Sequence, residues 1–183
     1  MQERGIWMEQ KKEYRTRLWL LVGIPGSGKS TWIQNHRKFF AEDNAVISRD
    51  QIRFALLGEN DDYFSKENEV WQQYVEKTIA SLKFNTDTIL DATHLNESSR
   101  GKILRALGHY IDGVEINAIV INTSLQKAIK QNSMREGRAF VPETAIRNMF
   151  SNFSIPAFEE GFDNIYIYRQ NKNKVIYEIL RKG

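Results

Sequence analysis

Residues 18–31, LWLLVGIPGSGKST, limit what this chain can fold into more than any other stretch. An apolar run suited to a buried strand stops at Gly23 and gives way to a glycine-rich loop that closes on Gly28, Lys29 and Ser30. The pattern is GxxxxGK[ST] between a strand and a helix start, the arrangement of a phosphate-binding P-loop. Backbone N–H groups must close around a polyphosphate, and only a residue without Cβ permits that approach and the positive φ angles it needs. The loop hands the phosphates to the start of the next helix, where unpaired N–H groups and the helix dipole favour negative charge. Lys29 is placed to reach the β- and γ-phosphates, and the Ser30 hydroxyl to hold Mg²⁺. The expected nucleotide contacts are Gly23, Pro25, Gly26, Ser27, Gly28, Lys29, Ser30 and Thr31.

The remaining chain is the right size for one domain around this loop: 183 residues with 41% hydrophobic content supply a single sizeable core. No apolar run approaches the ~20 residues of a membrane span, and residues 1–17 lack the apolar stretch of a signal peptide. A cytoplasmic protein without a membrane partner is expected. The absence of cysteine excludes disulfides and thiolate chemistry, and His36, His94 and His109 are too scattered for a zinc site. The net charge of +3 sits at the ends: residues 1–17 carry +2 and residues 169–183 carry +4, leaving −3 for the body. The body therefore lacks the broad basic footprint of a duplex binder, and both ends read as solvated extensions.

After the loop, residues 30–40 read as the first helix and residues 45–48 (AVIS) as a short strand. Asp50 and Arg53 follow directly, where open α/β sheets bind ligands, and their spacing puts them on one helix face. A carboxylate there can take the proton of an attacking hydroxyl while Arg53 grips an anionic group on the same acceptor. The spacing also suits a helix-capping aspartate in a plain ion pair. Residues 58–64 form a loop with Glu59, Asp61 and Asp62, and Ser65 is expected to cap a helix reaching residue 84, with Val70, Trp71, Tyr74, Val75, Ile79 and Leu82 turned to the core. The strand at residues 88–91 (TILD) ends in Asp91, the acid expected to face the metal directly or through water. Thr93 and His94 would line the acceptor pocket, although His94 suits an ordinary loop position equally well.

Asn96 can cap a helix with Ile103, Leu104 and Leu107 turned inward and Arg100 on its loop side, and residues 114–121 form another apolar strand. Alternating strands and helices predict an α/β fold: a mainly parallel sheet of about five strands with helices on both faces. Thr123 and Gln126 read as a capping box for the next helix. That helix breaks up over residues 131–141, where Arg135 and Arg138 flank Gly137 and Pro142 starts a new helix. A hinged basic segment between helices suits a lid that closes over ATP and brings an arginine to the transferring phosphoryl group, Arg135 first and Arg138 second. Residues 164–168 (NIYIY) are the last clear strand; residues 175–180 fit an extra strand or a short helix.

Four motifs in order, GxPGSGKST at residues 23–31, SRDxxR at 48–53, LDATHLN at 90–96 and NSxRxGRxxVP at 132–142, resemble the kinase domain of bacteriophage-type polynucleotide kinases. The resemblance spans residues 18–168 and implies a three-layer P-loop kinase fold with a helical lid, one domain over residues 1–183, and transfer of the ATP γ-phosphoryl group to a 5′-hydroxyl of RNA or DNA. By that match Asp50 corresponds to the general base and Arg53 to the residue on the acceptor's 3′-side phosphate. Lys29 and Ser30 match the ATP and Mg²⁺ contacts, Asp91 the acid near the metal, and Arg135 a lid arginine on the ATP phosphates. This chain departs from the pattern at Gln131, where the phage enzymes carry a second lid arginine.

Overall fold

The computed structural model describes residues 15–40, 43–171 and 174–181. Its centre is a six-stranded sheet of order β2-β3-β1-β4-β5-β6. The strands are β1 (Arg17–Val22), β2 (Ala45–Ser48), β3 (Thr88–Asp91), β4 (Glu115–Asn122), β5 (Asn164–Asn171) and β6 (Lys174–Arg181). The first five run parallel, and β6 folds back antiparallel on β5. Among the described residues six α-helices accompany them: α1 (Lys29–Asn35), α2 (Arg49–Leu56), α3 (Glu67–Lys83), α4 (Glu97–Leu107), α5 (Leu125–Asn132) and α6 (Glu143–Ser151).

The unbroken apolar run of β1 reflects burial on both faces, as parallel sheets require. Leu18, Leu20 and Val22 pack with Ile52 of α2, Val70, Tyr74 and Leu82 of α3, and Ile103 and Leu107 of α4. Trp19 and Leu21 point the other way, to Trp32 and Ile33 of α1 and to Phe40. Ile24, Ala128 and Ile146 form a smaller core that seats α5 and α6 against the P-loop. Because β1 lies between β3 and β4, the carboxyl ends of β1, β2 and β3 open on one crevice, where such sheets bind ligands.

Several local expectations change. The first helix stops at Asn35, and residues Arg37–Phe39 make a separate 3₁₀ turn, because the His36 ring turns back to the Trp32 carbonyl (2.8 Å) and stacks on the Trp32 ring. Ser65 does not cap α3: its hydroxyl donates to the Asp62 carbonyl, and the helix starts at Glu67 after Lys66. Ser124, not Thr123, caps α5, leaving the Thr123 hydroxyl to donate to the Ser27 carbonyl of the P-loop (3.0 Å). Arg100 is not on the loop side but fully buried. Most of the stretch set apart at 169–183 is strand, paired in the hairpin of β5 and β6. Of the N-terminal extension, residues 1–14 lie outside the described residues, while Arg17 opens β1 and pairs with the buried Asp87 (2.6 Å).

Candidate active site

The P-loop runs from Gly23 to Gly28 between β1 and α1, and its shape depends on two glycines. Gly26 (φ 76°) lies so close to α5 that a Cβ would run into the Ala128 carbonyl oxygen, and Gly28 (φ 95°) takes a left-handed turn into α1. Three hydrogen bonds fix the loop: Gly23 N–H to the Thr93 carbonyl (3.0 Å), Ser27 N–H to the Ile24 carbonyl (3.2 Å), and Thr123 to Ser27. Pro25 is buried in the loop, whereas Ser30 and Thr31 face solvent on the first turn of α1. The Ser27 hydroxyl is buried with no hydrogen-bond partner within the protein.

Lys29 donates to the carbonyls of Gly23 (2.8 Å) and Ile24 (3.1 Å), which holds its ammonium over the loop. Burial pushes its pKa down to about 8, against the pull of the Asp91 and Asp50 carboxylates and with the push of Arg135. Ser30 donates to Asp91 at the end of β3 (3.3 Å). Burial raises the Asp91 carboxyl above its ordinary range, opposed by Lys29, Ser30 and Arg135. Asp50 is in the first turn of α2, two residues past Ser48, which is the register partner of Asp91. Thus Lys29, the Ser30–Asp91 pair, Asp50 and the exposed Arg135 converge electrostatically from four separate segments.

Asp50 is held from one side only. Its carboxylate accepts from Arg53 (2.7 Å) and from the Tyr63 hydroxyl (3.3 Å), and its side chain remains 65% exposed. Arg53 itself is buried; it also donates to Glu67 (2.6 Å) and lies over the Tyr63 ring (4.7 Å). Glu67, on the first turn of α3, also pairs with Arg49. The sequence reading missed Glu67 and Tyr63, although a glutamate opening the helix after the SRDxxR motif was a usable signal.

His94 does not line a pocket. Its ring is buried with both nitrogens engaged, Nδ1 with the Leu21 carbonyl (2.7 Å) and Nε2 with the Tyr74 hydroxyl (3.1 Å), and burial pushes its pKa down to about 4. It is a neutral brace beneath the crevice. Thr93, half-buried, contributes the carbonyl that ties down Gly23. Arg138 donates to the carbonyls of Leu57 (3.4 Å), Gly58 and Glu59 (3.0 Å), clasping the segment between α5 and α6 to the loop after α2. The buried Asn132 closes the base of the segment between α5 and α6 through a reciprocal pair with the Val141 backbone (2.7 and 3.1 Å). Among the described residues no cluster of three His, Cys, Asp or Glu side chains could cage a metal.

A family model described as an AAA domain (AAA_33) matches residues 18–156, from the buried run of β1 to beyond α6. The chain belongs to this family. By family and fold this AAA_33 domain groups with the P-loop kinases. It is 28% identical over 171 residues to the L-seryl-tRNA(Sec) kinase of Methanococcus maripaludis, an alignment that covers 89% of this chain and 63% of that relative. A chain of the Pnkp1/Rnl/Hen1 RNA repair complex superposes with a TM-score of 0.63 at 26% identity, over 78% of this chain and 45% of that one. The AAA_33 domain therefore spans less than two thirds of either protein. The fold is also shared with the PezAT toxin–antitoxin system of Streptococcus pneumoniae, at a TM-score of 0.61 and 20% identity over 93% of this chain and 75% of that one. No helix among the described residues is long and apolar enough to cross a membrane.

Proposed function

We propose that this AAA_33 domain transfers the γ-phosphoryl group of ATP to a hydroxyl carried by a polynucleotide, foremost the 5′-hydroxyl of RNA or DNA. The reading is carried by Asp50, which stands in the first turn of α2 just past the end of β2, is held by Arg53 and Tyr63 while its side chain stays 65% exposed, and bears on both Lys29 and Asp91 through its charge. Gly23 to Thr31 would cradle the triphosphate, with Lys29 on the β- and γ-phosphates and the unpartnered Ser27 hydroxyl free to donate to it. The Ser30–Asp91 pair fits Mg²⁺, an oxygen-preferring ion that takes few protein ligands and completes its shell with phosphates and water; when bound it neutralises charge on the phosphate oxygens.

Asp50 would accept the proton of the acceptor hydroxyl as its oxygen forms a bond to the γ-phosphorus. The bond from that phosphorus to the β–γ bridging oxygen breaks in line, and ADP leaves. Arg53 and Tyr63 keep the Asp50 carboxylate aimed, and Arg53 adds positive charge beside an anionic acceptor. Arg135, whose charge already bears on Lys29 and Asp91, would offset charge on the transferring group when the lid closes. Support for a polynucleotide acceptor comes from the two relatives above, one a tRNA kinase and one from an RNA repair complex.

The test is transfer of labelled γ-phosphate to matched 5′-hydroxyl RNA and DNA oligonucleotides and to mononucleosides and sugars. Label on the oligonucleotides, with acceptor affinity falling steeply as salt rises, supports the reading. Label confined to small neutral acceptors replaces it with a metabolite kinase.

A further inference from the structure

Beside Asp50 the surface carries a cluster of three aromatic rings, two of which, Phe54 and Phe64, the phosphoryl-transfer machinery does not use. Phe64 is 65% exposed and Phe54 37% exposed, with Tyr63 between them at ring separations of 4.8 and 6.4 Å. The cluster is continuous with the site, because the Tyr63 hydroxyl is the group that donates to Asp50. Arg53 lies over both Tyr63 (4.7 Å) and Phe64 (5.8 Å), so the rings flank a cation. The backbone that presents Phe64 is fixed without help from its ring: Asp62 accepts from the Phe64 N–H (2.9 Å) and from the Ser65 hydroxyl (2.8 Å), and the Phe64 carbonyl accepts from Glu67 N–H (3.2 Å). An exposed ring on a pre-formed turn contributes little to the core. It offers a flat face to a ligand instead.

We propose that Phe64, supported edge-on by Tyr63, is a stacking platform for a nucleobase near the 5′ end of a single-stranded acceptor. This rests on the polynucleotide reading above. The two legs from Asp50 to Tyr63 and from Tyr63 to Phe64 are short, which puts the platform within reach of the first or second base of a strand whose terminal hydroxyl is at Asp50. Stacking on an aromatic face serves every base and needs no broad basic groove, which agrees with the −3 charge of the body of the chain. Of the acidic residues of the loop, Asp61 is paired with Lys66 (3.1 Å) and Asp62 accepts the Phe64 N–H to hold the turn.

The experiment compares wild type with Phe64→Ala, Phe64→Leu and Phe64→Trp. It measures binding of a 3′-dye-labelled 5′-hydroxyl RNA by anisotropy and steady-state KM for acceptor and for ATP, using RNAs with intact or abasic first and second nucleotides. Phe64→Ala is expected to weaken RNA binding and raise acceptor KM by roughly 5- to 150-fold, the equivalent of one stacked base, with KM for ATP unchanged. Trp restores binding and Leu does not; abasic RNA shows the loss in wild type and no further loss in Phe64→Ala. RNA that is bound and labelled with Phe64→Ala within about twofold of wild type, or Leu equal to Trp, removes the platform and leaves the kinase reading standing. Wild-type protein that neither binds nor labels RNA while phosphorylating small hydroxyl compounds removes both.

Discussion

Replacing Arg100 by methionine should destabilise the protein more than any single change at its surface. The guanidinium is fully buried and donates five hydrogen bonds: to both Glu160 oxygens (2.6 and 2.7 Å), to the carbonyls of His94 (3.2 Å) and Ser154 (2.9 Å), and to the Ser154 hydroxyl (3.2 Å). Methionine fills most of the volume, so the cavity term is small. The cost is the Glu160 carboxylate, whose side chain is only 8% exposed and is left without its counter-charge. Breaking one partner out of a buried pair costs about 3–5 kcal/mol, which for a chain of this size lowers Tm by roughly 6–20 °C. Urea unfolding followed by circular dichroism reads the loss directly. Arg100→Met combined with Glu160→Met should recover a large part of it, because no charge is then stranded. A loss under about 1 kcal/mol for Arg100→Met, or a double variant as unstable as the sum of the two single ones, would refute the reasoning.

Arg135→Ala is expected to lower kcat by roughly 10²–10⁴ with little change in Tm, as for an arginine acting on the transferring phosphoryl group, whereas Arg138→Ala should cost far less in kcat, since Arg138 clasps carbonyls of the loop after α2; equal losses would show that the two share one role. His94 should make stability fall in acid. Its folded pKa of about 4 lies below the unfolded value near 6.5, so the unfolded chain binds the extra proton, and about 3 kcal/mol present above pH 6.5 is lost as pH drops toward 4. His94→Asn, which tolerates the positive φ of 40° at this position, should flatten that part of the pH–stability curve measured by urea unfolding.

What the sequence disclosed was local, and what it hid was contact over long separations. The P-loop, Asp50 on one face with Arg53, and Asp91 closing its strand all depend on residues within a few positions of one another, so spacing alone identified them. Glu160 lies 60 residues beyond Arg100, and nothing in the order of the chain announces that they meet. A sign was nonetheless available: Arg100 falls on the same helical stripe as Ile103, Leu104 and Leu107, which buries whatever stands there. Similarly, Arg138 stands in a basic, glycine-hinged segment, which is legible locally; its bonds to residues 57–59 depend on how that segment and the loop after α2 are brought together. The sixth strand was only half legible, since a short apolar run can be strand or helix until pairing with β5 decides it.

The central claim is that Asp50 serves the acceptor hydroxyl and not the nucleotide. Single-turnover transfer of labelled γ-phosphate to a 5′-hydroxyl RNA, measured beside ATP binding for wild type and Asp50→Asn, tests it most directly. The account predicts transfer slowed by roughly 10²–10⁴ with ATP affinity nearly unchanged. Normal transfer by Asp50→Asn, or a loss confined to ATP binding, would contradict it.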